Sequence, residues 1–408
     1  MTHSARLPAY AVFAGVLSAA GLPIYIHAPK FYADEFAVSL GALGAVLFGL
    51  RLLDVVQDPL LGRLAAALSN ARGIAVAIAA AIMAGGMIGL FALPPLLPPL
   101  WWFALMLTLV FSAFSFLTIA FYARGVTKAG DLPGQGHFRL ARWRETGALT
   151  GVCVASVLPT LFAATALPPF AAFAVVFAAL TALAALLMAP EWRGRIALPR
   201  SGFGTILSDR TARRLLMIAF VNAAPVAVSS TLFLFFVESR LDAAGWEGPL
   251  LLLFFLAAAG AAPLWGLAAE RYGAQRVLLA AMVLAIVAFG GALALRAGDT
   301  WLFAVICLAS GATLGADLTL LPALFARRMA RVAPNAAEGF ALWSFVSKFT
   351  LAFAAAALLP LLEMRGFQPG NQNSEDALET LGLLYAGVPC LLKLVAIGLL
   401  ATTQIEED

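Results

Sequence analysis

The 408-residue chain is 62% hydrophobic and only 12% charged, whereas soluble domains run at about 45–50% and 25%. This balance excludes a soluble globular protein and predicts a polytopic one whose partner is the lipid bilayer. The net charge of +4 is small, and without a basic–aromatic module or a Gly-rich phosphate loop there is no case for nucleic acid as a partner.

Apolar stretches of about 20 residues, the length that crosses a hydrocarbon core, predict about twelve spans. They lie near 9–29, 37–62, 74–93, 100–123, 145–165, 168–189, 214–237, 248–269, 276–296, 300–325, 338–362 and 379–401. The first is too long for a signal-peptide core and no small-residue cleavage site follows it, so no cleavable signal is expected. The expected fold is all-α and membrane-integral: one six-helix bundle over 1–189, a polar basic linker over 190–213, and a second six-helix bundle over 214–408.

Span one, from Tyr10 to Pro23, contains no acid. Span two contains a charged tetrad, Arg51, Asp54, Gln57 and Asp58, set between Gly41–Leu50 and Pro59–Gly62. These positions share one side of a helix. An ionisable group at membrane depth costs about 2.5–3.5 kcal/mol or more, so it marks an ion or substrate path or a partnered site. A cation site is one reading; an Arg–Asp pair tying helices together is the other. Span four offers Ser115, Thr118 and Tyr122, and span seven offers Asn222 with Ser229 and Ser230. Asp317 lies mid-span among small residues of span ten. It reads as a substrate or proton site, or as a structural partner for Arg51 or Lys348. Lys348 lies well inside span eleven, where it could balance the carboxylates or snorkel; Lys393 in span twelve is expected to snorkel to an interface.

Lys and Arg crowd one set of loops, including Arg63, Arg72, Arg124, Lys128, Arg139, Arg142, Arg213, Arg214, Arg327 and Arg328. The opposite loops hold little beyond Lys30, Arg240, Arg296 and Arg365. The positive-inside rule therefore predicts a multi-pass plasma (inner) membrane protein with both termini cytoplasmic. Cys153, Cys307 and Cys390 fall within spans without ligand spacing, and His3, His27 and His137 are scattered. No disulfide framework, metal site or cofactor is expected.

Three motifs carry a family resemblance. Gly266-Leu-Ala-Ala-Glu270-Arg271-Tyr-Gly273-Ala-Gln-Arg276 resembles the loop signature of the major facilitator superfamily, whose acid–Arg pair latches the cytoplasmic side; the copy after span two is degenerate. Arg51-x-x-Asp54-x-x-Gln57-Asp58-Pro59 resembles the second-helix motif of the glycoside–pentoside–hexuronide:cation symporters, the melibiose permease family. Gly339-Phe-Ala-Leu-Trp343-Ser-Phe-Val-Ser347-Lys348 is similar to that family's stretch in span eleven. The resemblance implies that Asp54, Asp58 and Ser115 bind a coupling Na⁺ or H⁺, with Arg51, Gln57 and Lys348 coupling the site to substrate. It implies a gate of Arg144, Glu270 and Arg271. Thr118, Tyr122 and Trp343, in or beside its motif positions, are expected substrate contacts. Asn222 and the new acid Asp317, which the resemblance does not supply, join them as expected polar lining.

Sugar-transporting members of that family carry aspartates in spans one and four. Here span one has none and the span-four position is Thr118. The expected activity is therefore cation-coupled symport of a small polar or amphiphilic solute other than a simple sugar, by a monomer working through alternating access. A lysolipid carrier of the same family and a non-transporting membrane scaffold are the alternatives. No nucleophile–base or metal constellation supports an enzyme.

Overall fold

The computed structural model describes residues 6–21, 28–29, 31–33, 35–163, 168–192, 202–368 and 373–403. His27, Lys30 and residues 193–201 of the expected linker lie outside them, as does the side chain of Arg51. Regular structure among the described residues is entirely helical. The twelve longer helices are α1 (Leu7–Ala19), α2 (Leu40–Ala67), α3 (Arg72–Phe91), α4 (Pro99–Gly130), α5 (Gly136–Ala163), α6 (Pro169–Trp192), α7 (Arg210–Arg240), α8 (Glu247–Tyr272), α9 (Ala274–Gly290), α10 (Thr300–Val332), α11 (Ala337–Met364) and α12 (Glu375–Ala401). A short linker helix, Gly202–Ser208, precedes α7. Eight helices among the described residues are long and apolar enough to cross a membrane.

Local chemistry sets the ends. Ser39, Asp209 and Ser374 cap α2, α7 and α12 by accepting from Ala42 N, Ala212 N and Ala377 N, which satisfies backbone donors that the first turn leaves open. Hydrogen bonds from Arg328 hold the Asp209 carboxyl below the usual carboxylate range. Gly273, at φ 87° between α8 and α9, explains the second glycine of the loop motif, because the left-handed region disfavours a side chain. α4 and α10 run past the expected spans at their charged ends, through Arg124 and Lys128 and through Arg327, Arg328 and Arg331. Helical hydrogen bonding continues irrespective of where hydropathy falls.

The chain divides into two compact units, Met1–Ile206 with Met329–Phe345 and Leu207–Arg328 with Val346–Asp408. In the first, α1 packs on α5, α2 on α4, and α3 on both α4 and α6. In the second, α12 packs on α7 and α9, and α8 packs on α9. Ile74, Ile78 and Ile82 of α3 and Val283, Leu284 and Val287 of α9 are exposed. Such apolar outward faces suit hydrocarbon and would be costly in water.

The α1–α5 crossing depends on glycine. A Cβ on Gly147 would stand 2.1 Å from Ala11 O, and one on Gly151 would stand 2.1 Å from Gly15 O. Backbones in van der Waals contact are the usual device where lipid provides no hydrophobic drive between helices. Gly147→Val is expected to force α1 off α5 and cost about 1–3 kcal/mol or more. Its melting temperature in detergent should fall clearly below that of the parent, and an unchanged value would refute this packing.

Candidate functional site

α2 carries the first cluster. Asp58 is fully buried, and Asp54 and Ser115 nearly so. Asp54 and Asp58 are one helical turn apart, so their Cβ atoms are neighbours on one face. Gln57 Nε2 donates to Asp54 Oδ1 at 2.7 Å, and Gln57 Oε1 accepts from Ser112 Oγ of α4 at 2.9 Å. Ser344 Oγ of α11 donates to Asp58 Oδ2 at 2.5 Å. Gln57 and Ser344 are neutral donors that orient the two carboxylates, and Ser112 orients Gln57 in turn. Two neighbouring carboxylates and hydroxyl groups in a water-poor setting are a hard-oxygen set, suited to an alkali cation or a proton. Ser112 and Ser344 were not among the expected site residues. Ser344 sits inside the span-eleven motif, and Ser112 lies one turn before Ser115, so both were within reach of a helical-face argument.

The second cluster joins α4 and α5. Arg144 and Glu145 are both buried. Arg144 Nε donates to Glu145 Oε1 at 2.7 Å, and its guanidinium carbon lies 3.8 Å from the centroid of the Tyr122 ring. Tyr122 Oη donates to the same Glu145 oxygen at 3.1 Å, and its ring packs at 4.9 Å on Phe340. Arg144 Nη2 and Thr118 Oγ1 are buried with no hydrogen-bond partner among the described residues. Arg144, expected at a gate, thus lies with Tyr122, expected at substrate, and Glu145 was missed altogether. Trp343 belongs to the same unit.

A third network closes the charged end of this unit. Glu191 of α6 accepts from Tyr10 Oη at 3.3 Å and Lys128 Nζ at 3.0 Å, and lies 3.6 Å from Arg124 Nη2.

In the second unit, Lys393 is buried and donates to Asp317 Oδ2 and, at 2.8 Å, to Asn222 Oδ1. This corrects the expectation that Lys393 snorkels, since a buried ammonium at membrane depth needs a counterion and Asp317 supplies it. It also supplies Asp317 with a partner that is neither Arg51 nor Lys348. Arg271 is exposed, with its guanidinium carbon 5.3 Å from the Tyr272 ring centroid. Glu270 and Lys348 lie in this unit as well.

Twelve longer helices among the described residues, with apolar outward faces, make a multi-pass membrane protein. A family model described as MFS/sugar transport protein matches residues 8–407, and the chain belongs to that family of the major facilitator superfamily. It is a secondary transporter and not an enzyme. No curated protein matches the sequence. Among solved structures, a bacterial homologue of the iron transporter ferroportin in its outward-facing state is similar at a TM-score of 0.70 and 13% identity, over 96% of this chain and 99% of that one. The human organic anion transporter MFSD10 (TETRAN) is similar at 0.64 and 15%, over 97% and 98%. At such identities the likeness speaks for the fold: the major facilitator architecture of twelve helices in two bundles.

Proposed function

We propose that this transporter is a cation-coupled symporter of the melibiose-permease-like kind, working in the inner membrane with both termini cytoplasmic. The observation that carries the reading is the burial of Asp54 and Asp58 on one face of α2, each held by a neutral hydrogen-bond donor. Two neighbouring carboxylates with hydroxyl groups nearby are hard-oxygen ligands, so the site suits Na⁺ or H⁺, with Ser115 as a further oxygen ligand. Arg51, Gln57 and Lys348 serve coupling in this reading, and Trp343, Thr118 and Tyr122 face substrate. Purified protein heated in Na⁺, Li⁺ and K⁺ at two pH values tests it. Selective stabilisation by Na⁺ or Li⁺ supports metal coupling, pH dependence alone supports proton coupling, and the absence of both refutes the proposal.

The solute is small and polar or amphiphilic rather than a simple sugar. Thr118 offers a single hydroxyl, and α1 offers Tyr10, whose hydroxyl is committed to Glu191. A polyhydroxylated ring needs several convergent acceptors, and a site without them loses discrimination steeply. Reconstituted protein is expected to show no saturable, cation-dependent uptake of a galactoside or pentoside; robust uptake would overturn this assignment.

A further inference from the structure

We propose that the second unit contains its own monovalent-cation site at Asp317, separate from the carboxylate pair of α2. Asp317 and Lys393 line a cavity of ≈ 70 Å³ together with Ser229, Ser310, Thr313 and Cys390. That volume exceeds the share of one water, about 30 Å³, and suits a small ion with one or two waters. Both members of the ion pair are more than nine-tenths buried. The pair uses only Asp317 Oδ2; Oδ1 is buried with no hydrogen-bond partner among the described residues.

The lining points to a cation. Ser310 Oγ donates to Ile306 O at 2.6 Å, Thr313 Oγ1 to Ser310 O at 2.7 Å, and Ser229 Oγ to Val226 O at 3.3 Å. A hydroxyl has a single hydrogen and two lone pairs. With each hydrogen given to a helix carbonyl, these oxygens offer the cavity acceptors alone. Asp317 Oδ1 is an acceptor too. An anion would meet the carboxylate and lone pairs. A small alkali ion satisfies hard oxygens without needing a donor–acceptor match.

Lys393 makes the site competitive. Its ammonium and a bound ion would share one carboxylate in a medium of low dielectric, where like charges repel strongly. Asn222 Oδ1, already 2.8 Å from Nζ, is a neutral acceptor that retains the ammonium while Oδ1 of Asp317 serves the ion. This site is therefore expected to bind Na⁺ more weakly than one without the lysine.

The test is equilibrium ²²Na⁺ binding to the full purified chain. Wild type is expected to bind two ions, and Asp54→Asn/Asp58→Asn one, which is lost on adding Asp317→Asn. Lys393→Met is expected to tighten that remaining site by about tenfold or more. Should the double variant bind none, or Lys393→Met leave its affinity unchanged, the inference falls. One ion in wild type that is lost only with Asp317→Asn would keep this inference and exclude Na⁺ from the α2 pair, leaving the proton as its coupling ion. If the α2 variant does not fold, Cys390 in the same cavity gives a local readout in the wild-type background. Na⁺, against a choline control, should slow its modification by maleimide, and Asp317→Asn should abolish that protection. Equal rates in Na⁺ and choline would overturn the proposal.

Discussion

Asp58→Asn is expected to abolish cation-driven accumulation of substrate while leaving the protein inserted and folded, and Asp54→Asn is expected to do the same. Asp58 is fully buried and Asp54 nearly so, so a cation between them has little water with which to replace a lost ligand. Removing one charged partner from such a site costs about 3–5 kcal/mol, or about a hundredfold or more in ion affinity. Folding should tolerate the change. The asparagine keeps the side chain's shape, and Ser344 can still donate to its carbonyl oxygen as it does to Asp58 Oδ2. The measurement is Na⁺- and pH-dependent binding and uptake in each variant. Ion binding at the wild-type level in both would show that these carboxylates only hold the helices together.

The fold was readable because a membrane imposes its own length scale. Twelve apolar stretches of helical length correspond to the twelve longer helices, and the loop motif located Gly273, which a positive φ requires. The α2 cluster was readable for the same reason: charge in an apolar helix is conspicuous, and helical spacing puts 54 and 58 on one face. What escaped was pairing. Asp317 and Lys393 are 76 residues apart, and no periodicity tells which buried acid meets which buried base. Lys393 was expected to snorkel to an interface, whereas the packing of α12 on α7 encloses it beside Asn222 and Asp317. Glu145 was hidden differently. Neighbours in a helix point about 100° apart, so an adjacent acid and base do not read as a pair. They meet here because Tyr122 of α4 engages both.

That arrangement makes Glu145→Gln the more revealing change for stability. Arg144 and Glu145 are buried together, and Arg144 Nη2 has no hydrogen-bond partner among the described residues. The guanidinium is thus held by one carboxylate at 2.7 Å and one aromatic face at 3.8 Å. A glutamine side chain can keep accepting from both Arg144 Nε and Tyr122 Oη, so geometry is preserved while the counter-charge goes. Cation–π attraction to a tyrosine supplies about 0.5–2 kcal/mol, which is less than the roughly 3–5 kcal/mol for stranding a buried charge. The variant should therefore lose stability by the larger figure less whatever water can recover. Arg144→Gln should also destabilise, by leaving Glu145 uncompensated. The double substitution, neutral at both positions, should be milder than the sum of the singles, because neither partner is then stranded. Melting temperatures of the four proteins in one detergent form the cycle. Strict additivity would show that Arg144 and Glu145 do not stabilise one another, and that the guanidinium depends on Tyr122 alone.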